Sequence, residues 1–231
     1  MTSRSPDWTA ERRRVVRAAL GIGIATGAYG VSFGALSTAS GLTVTQTCAL
    51  SVLVFTGASQ FALVGVLGAG GGAVSGTATA LLLGSRNALY GLRLAPVLEL
   101  RGLRRLVGAQ LVIDESTAVA VAQDEPRAAR LGFWSAGVAV YVLWNAATLL
   151  GALVGDAIGD PRAYGLDAAV PAAFLALLAP RLRGREPWAV ALAAAAVALL
   201  AVPVVPIGAP VLLAALVAVV PGLRPGSGER R

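Results

Sequence analysis

The chain has 231 residues, of which 56% are hydrophobic and 13% charged, with a mean hydropathy of +0.74. Water-soluble domains carry about 25% charged residues, so this composition excludes an ordinary soluble fold and predicts an all-α polytopic integral membrane protein. The net charge of +7 is carried by 19 basic residues, all arginine, which cluster at the ends of apolar runs; that is the placement of orientation signals and not of a nucleic-acid surface.

The residues before Val15 read as a short arginine-rich cytoplasmic tail, 1–14, ahead of a first helix over 15–37. Arg12, Arg13, Arg14 and Arg17 also fit a cleaved leader or a twin-arginine signal, but the following apolar run is longer than such segments need. Further apolar runs predict helices over 44–69, 73–97, 132–154, 166–180, 187–203 and 207–221, with a weaker, more polar segment over 107–122 and a cytoplasmic tail over 222–231. The expectation is a single domain over 1–231, a bundle of about seven to eight helices that includes broken or re-entrant segments. Gly27, Gly30 and Gly34, and Ala147, Gly151 and Gly155, recur at helical spacing and predict close helix packing.

Arginines orient the chain. The N-terminus, Arg127 with Arg130, the trio Arg181, Arg183 and Arg185, and the C-terminus belong in the cytoplasm; Asp156, Asp160 and Arg162 belong outside. Three crossings from a cytoplasmic start would leave Arg101, Arg104 and Arg105 outside. Two solutions stand: the 107–122 segment crosses, giving eight passages and one violation of the rule, or an early run is re-entrant and that segment does not cross.

Arg86 is the first candidate site residue, because a guanidinium at bilayer depth costs at least ~2.5–3.5 kcal/mol and cannot shed its proton to escape. Thr79, Arg86, Tyr90 and Arg93 recur at helical spacing and predict a polar stripe, of which Arg93 is near enough to one end to snorkel. Thr56 to Phe61 interrupts the second run with small polar residues; Ser59 and Gln60 there either mark a helix break that binds a ligand or bond to a neighbouring helix. Asp114 and Glu115 counter Arg86, carry a proton, cap a half-helix, or sit in a solvated interfacial turn. Asn145 and Thr148 beside Trp144 read as interhelical hydrogen-bonding groups, and Asp167 with Pro171 and Phe174 as the opening of a short helix. Cys48 is alone, which excludes an internal disulfide. With no histidine or lysine, neither a serine-protease site at Ser59 nor a transition-metal centre has its partners, and no cofactor is implied.

These elements together form a recognisable pattern. Val31-Ser32-Phe33-Gly34-Ala35, Gly41-Leu42, Val54 to Phe61, Arg86 with Leu89-Tyr90, Asp114-Glu115, Trp144-Asn145 and Gly165-Leu166-Asp167 with Pro171-Ala172 and Phe174 resemble the AzlC/YgaZ family of branched-chain amino acid exporters. The resemblance implies the large permease subunit of a bacterial inner-membrane exporter of valine, leucine, isoleucine and sometimes methionine. It implies a small AzlD/YgaH-type membrane subunit as partner, and no enzymatic activity. Carried over by position, Ser59, Gln60 and Arg86 match family elements; with Asn87, Tyr90 and Asn145 they form the expected substrate site, and Asp114 and Glu115 are the candidates for proton coupling. Family members commonly have asparagine and histidine where Gly84 and Asn87 stand, so any role of that histidine falls to other residues here. A passive channel or anion facilitator, or a non-transporting scaffold, is the alternative.

Overall fold

The computed structural model describes residues 8–158 and 182–222, together with Leu175, Leu178 and Ala179. The expected helix over 166–180 therefore lies almost wholly outside the described residues, as do Asp160, Arg162, Asp167, Pro171, Phe174, Arg181 and the C-terminal arginines. Among the described residues the chain is helical, with no strand. The elements are α1 (Trp8–Ala39), α2 (Val44–Leu53), α3 (Gly57–Gly68), α4 (Ala73–Gly84), α5 (Arg86–Leu98), α6 (Leu103–Gln110), α7 (Asp114–Val121), α8 (Pro126–Ile158), α9 (Arg185–Ala201) and α10 (Ala209–Gly222). They outnumber the seven to eight expected because the runs over 44–69, 73–97 and 107–122 are each broken near the middle.

Helices α1 and α8 are the spine. Both are long and apolar enough to cross a membrane. They lie side by side in the same direction, Gly23, Gly27, Gly30 and Gly34 meeting Ala139, Leu143, Ala147 and Thr148 in turn. At Gly34 a Cβ would collide with the Thr148 carbonyl, and at Gly151 with the Val31 carbonyl, so the approach depends on glycine at both places. In an apolar solvent such close backbone packing replaces the hydrophobic effect as the force between helices. The expected tail is helical from Trp8, because Arg127 stacks over the Trp8 ring at 3.9 Å and Arg14 donates to Gln123, docking the first turns on the start of α8.

Helices α2 and α3 form a hairpin within the bundle. A capping box, Thr43 with Gln46, starts α2 just beyond the end of α1. α2 then runs inward until Ser51 donates to Thr148 at 3.3 Å. Val54, Phe55 and Thr56, β-branched and aromatic residues of modest helix propensity ahead of a glycine, interrupt it. From Gly57, α3 runs outward beside α1: Phe61 packs edge-on against Phe33, and Gly68 reaches Ser40 at the end where α2 began.

Helices α4 and α5 run the length of the bundle, bent at one residue. α4 descends antiparallel to α3, from Gly76 beside Leu63 to Gly84 beside the Ser59 hydroxyl. At Ser85 the hydroxyl donates to the Leu82 carbonyl at 2.7 Å, a bond that competes with regular helix geometry. α5 continues to the opposite end, where Arg130 at the start of α8 donates to the Val97 carbonyl at 2.7 Å and pairs with Glu99.

Helices α6 and α7 make a second hairpin from that opposite end. Gln110, the last residue of α6, donates to the Val52 carbonyl at 2.8 Å, so the tips of the two hairpins touch. Ser116 turns the chain, donating to the Leu111 carbonyl at 2.6 Å and accepting from the Ile113 N–H at 3.1 Å. α7 then returns, and Val119 packs on Gly132 near the start of α8. Each half is only eight residues, roughly 12 Å long, far short of a ~30 Å hydrocarbon core.

The 44–69 run turns back at Val54 to Thr56 and the 107–122 segment at Leu111 to Ile113, which is the geometry of the second solution, with an early run re-entrant and the 107–122 segment not crossing. Arg101, Arg104 and Arg105 thus share an end with Arg12 to Arg17, Arg127 and Arg130. The connection between α9 and α10 sits at the far end, Ile207 against Gly71 and Gly208 against Ser75.

Candidate functional site

Three chain interruptions meet at one cavity of about 290 Å³. The α2–α3 tip brings Phe55, Thr56, Gly57 and Ala58 to it; the bend at Ser85 brings Arg86 and Asn87; the α6–α7 tip brings Ile113, Asp114 and Glu115. α1 closes one side with Ala25, Thr26 and Tyr29, and α8 another with Val140 and Trp144. In each interruption it is the N-terminal end of the following half-helix that faces the space, with its first N–H groups lacking intrahelical acceptors.

The charges are organised around Asp114. Its Oδ2 is 2.6 Å from Arg86 Nη2, and its Oδ1 accepts from the Tyr90 hydroxyl at 2.7 Å. Both oxygens are thereby engaged. Arg86 and Asp114 stay 30% exposed, so the pair is accessible from the cavity and not sealed. The Arg86 Nε and the Asn87 Oδ1 are buried without a hydrogen-bond partner. Glu115, next to Asp114, accepts from the Thr26 hydroxyl at the long distance of 3.5 Å, and among the described residues it has no ion pair.

The residues expected from sequence divide into two layers. Arg86, Asn87, Asp114 and Glu115 line the cavity. Ser59 and Gln60 lie behind its wall: Ser59 accepts from the Thr56 hydroxyl at 2.7 Å, while Gln60 donates to the Leu50 and Ser51 carbonyls and accepts from Trp144 Nε1 at 3.1 Å. Gln60 is fully buried, and it ties the cut end of α2 to α8. Tyr90 reaches the site through Asp114. Asn145 donates to the Tyr141 carbonyl at 2.7 Å and does not line the cavity.

The polar stripe expected over Thr79, Arg86, Tyr90 and Arg93 is not continuous. Thr79 bonds to the Ser75 carbonyl at 2.8 Å and to Gly208 of the α9–α10 connection, away from the cavity, because the interruption at Ser85 separates α4 from α5. Thr26 and Tyr29 are polar cavity residues beyond the sequence expectation, whereas Gly57 belongs to the Thr56–Phe61 interruption named there. The signal for these two is present as polar side chains three residues apart in a stretch, 18–31, otherwise built of glycine, alanine and aliphatics.

The stretch from 21 to 158 matches the family model of the AzlC protein. The chain belongs to the AzlC family. The matched stretch contains every residue of the cavity wall, while α9 and α10 lie beyond it. The chain is also similar to an uncharacterized membrane protein of Archaeoglobus fulgidus, 32% identical over 157 residues that make up 67% of this chain and 68% of the relative. No solved structure matches it. Within this AzlC-family chain, then, the family region and the charged cavity coincide.

Proposed function

We propose that this AzlC-family protein is the large permease subunit of an exporter for branched-chain or similar apolar amino acids, working with a small AzlD/YgaH-type membrane subunit in the bacterial cytoplasmic membrane. The observation that carries the reading is the cavity: opposite charges at its base, apolar and aromatic walls around them, and a volume at the lower end of the ~300–1,000 Å³ of small-molecule sites. A zwitterion with a compact apolar side chain fits those walls. Arg86, with an Nε lacking an acceptor and the N-terminal end of α3 nearby, takes the carboxylate. Two hairpins entering from opposite ends and meeting at the site give a plan in which either can act as a gate.

The arginine-rich end faces the cytoplasm, with the N-terminus there, because this places Arg101 to Arg105 on the same side as the other described clusters. A selective anion pore fits less well, since Asp114 and Glu115 outnumber Arg86 among the cavity's charges, which suits a zwitterion better than a simple anion. The test is efflux from cells loaded with a valine dipeptide, with and without this gene and that of the small subunit. Saturable efflux requiring both supports the exporter; linear, non-saturating flux supports a channel, and no change in efflux removes the transport reading.

A further inference from the structure

The cavity's charges do not cancel, and the surplus rests on one residue. Arg86 and Asp114 neutralise each other, which leaves the Glu115 carboxylate with no ion pair among the described residues, held by a long hydrogen bond from Thr26 and by its own backbone N–H. The charged and titratable groups that face it are Asp114 of its own helix, Arg86 of α5 and Tyr29 of α1; α8 and the α2–α3 tip bring only Val140, Trp144, Phe55, Phe61 and small residues.

An ammonium group entering the cavity needs an acceptor, and most carbonyls of the α2–α3 tip are already engaged. The Leu50 and Ser51 carbonyls accept from Gln60, those of Val52 and Leu53 from Gln110, and that of Val54 from the Thr56 N–H. What the tip turns toward the cavity is the start of α3, whose N–H groups and positive dipole end repel a cation. Asp114 has both oxygens engaged. Glu115 is left.

We propose that Glu115 is the group that binds the substrate ammonium, and that the same carboxylate carries the exchanged proton when substrate is absent. The inference rests on the reading that the cavity takes an amino acid. The step is an exchange: the carboxyl O–H bond breaks, the proton leaves to water in the cavity, and the arriving ammonium replaces it as the partner of the carboxylate. Because one carboxylate cannot hold both, substrate and proton are coupled by mutual exclusion without a histidine.

The experiment uses the full chain in lipid nanodiscs with three probes: L-valine, isobutylamine, which keeps the ammonium and lacks the carboxylate, and isovalerate, which keeps the carboxylate and lacks the ammonium. Binding is followed by calorimetry between pH 5 and 8 in buffers of different ionisation enthalpy, which reports protons released. Valine is expected to bind with proton release, with isobutylamine competing and isovalerate competing far less. Glu115→Gln is expected to weaken valine at least about tenfold, the scale of losing a hydrogen bond to a charged group, and to abolish proton release. Thr26→Val, which leaves the carboxylate in place, is expected to weaken valine less than Glu115→Gln and to keep the release. Unchanged valine affinity in folded Glu115→Gln, or isovalerate competing better than isobutylamine, overturns the assignment while leaving the transport reading intact. If Glu115→Gln does not fold, the competition and proton release of the parent decide. Absence of valine binding to the parent overturns the amino-acid reading itself, and this inference with it.

Discussion

The two hairpins use one device for different ends. Both turn back at mid-bundle, touch through Gln110, and present the start of their second half to the cavity. The α2–α3 tip is uncharged, and the carbonyls of Leu50 to Leu53 leading into it are closed by Gln60, Gln110 and Tyr141. The α6–α7 tip carries Asp114 and Glu115 in the first turn, where a helix dipole favours anions. The first is a wall that offers donors and the second a wall that offers charge. A dipolar ligand held between them meets complementary groups on the two sides, which neither hairpin supplies alone.

That contrast breaks most completely at the residue between the hairpins. If Arg86 binds a carboxylate through its fork of N–H groups, Arg86→Lys is expected to lose most efflux, at least about tenfold, although the charge is kept. Normal efflux from well-folded Arg86→Ala would sink the assignment.

The charged tip is tested next through stability. Asp114→Asn removes the counter-charge of Arg86, and breaking a buried pair costs about 3–5 kcal/mol; with both partners 30% exposed the expected loss is smaller, about 1–3 kcal/mol. Adding Arg86→Met is expected to restore part of it, as a double-mutant cycle on thermal unfolding in detergent would show. Strictly additive losses would mean that the pair is not coupled.

On the uncharged tip the expectation is reversed, with structure lost before chemistry. Gln60→Leu leaves the Ser51 carbonyl and the Trp144 indole without this partner, which predicts a loss of about 1–3 kcal/mol. The substrate preference of whatever protein folds is expected to be unchanged. A Gln60→Leu protein of parental stability and altered selectivity would show that the two tips share the chemistry.

The smallest effect belongs to the contact between tips. Gln110→Leu removes bonds to Val52 and Leu53, but Tyr141 still donates to the Val52 carbonyl, so the expected cost is at most about 1 kcal/mol. A larger loss in the same unfolding measurement would mean that the touching tips, and not α1 with α8, organise the bundle.

Much of this was legible in sequence because it follows from local chemistry. Long apolar runs have to be helical in a membrane, where backbone groups find no water, and glycines four apart admit a neighbouring backbone, as Gly34 and Gly151 do. A guanidinium in such a run requires a partner, so Arg86 and the acidic pair could be singled out before either was placed. Whether a run traverses or turns back is not a local property. An apolar segment such as 44–69 has the same length and composition either way, and where Val54 to Thr56 reverse the chain the cut ends are held by Gln60, Gln110, Tyr141 and Trp144, from three elements, α3, α6 and α8. The same holds for the charges. The sequence by itself determined that Arg86 needs a counter-ion and that two adjacent carboxylates were available. Only the tertiary structure decided that Asp114 takes Arg86 and Tyr90 while Glu115 faces Thr26 and the open cavity, because adjacent side chains on one helix point about 100° apart and packing alone selects which of them meets α5.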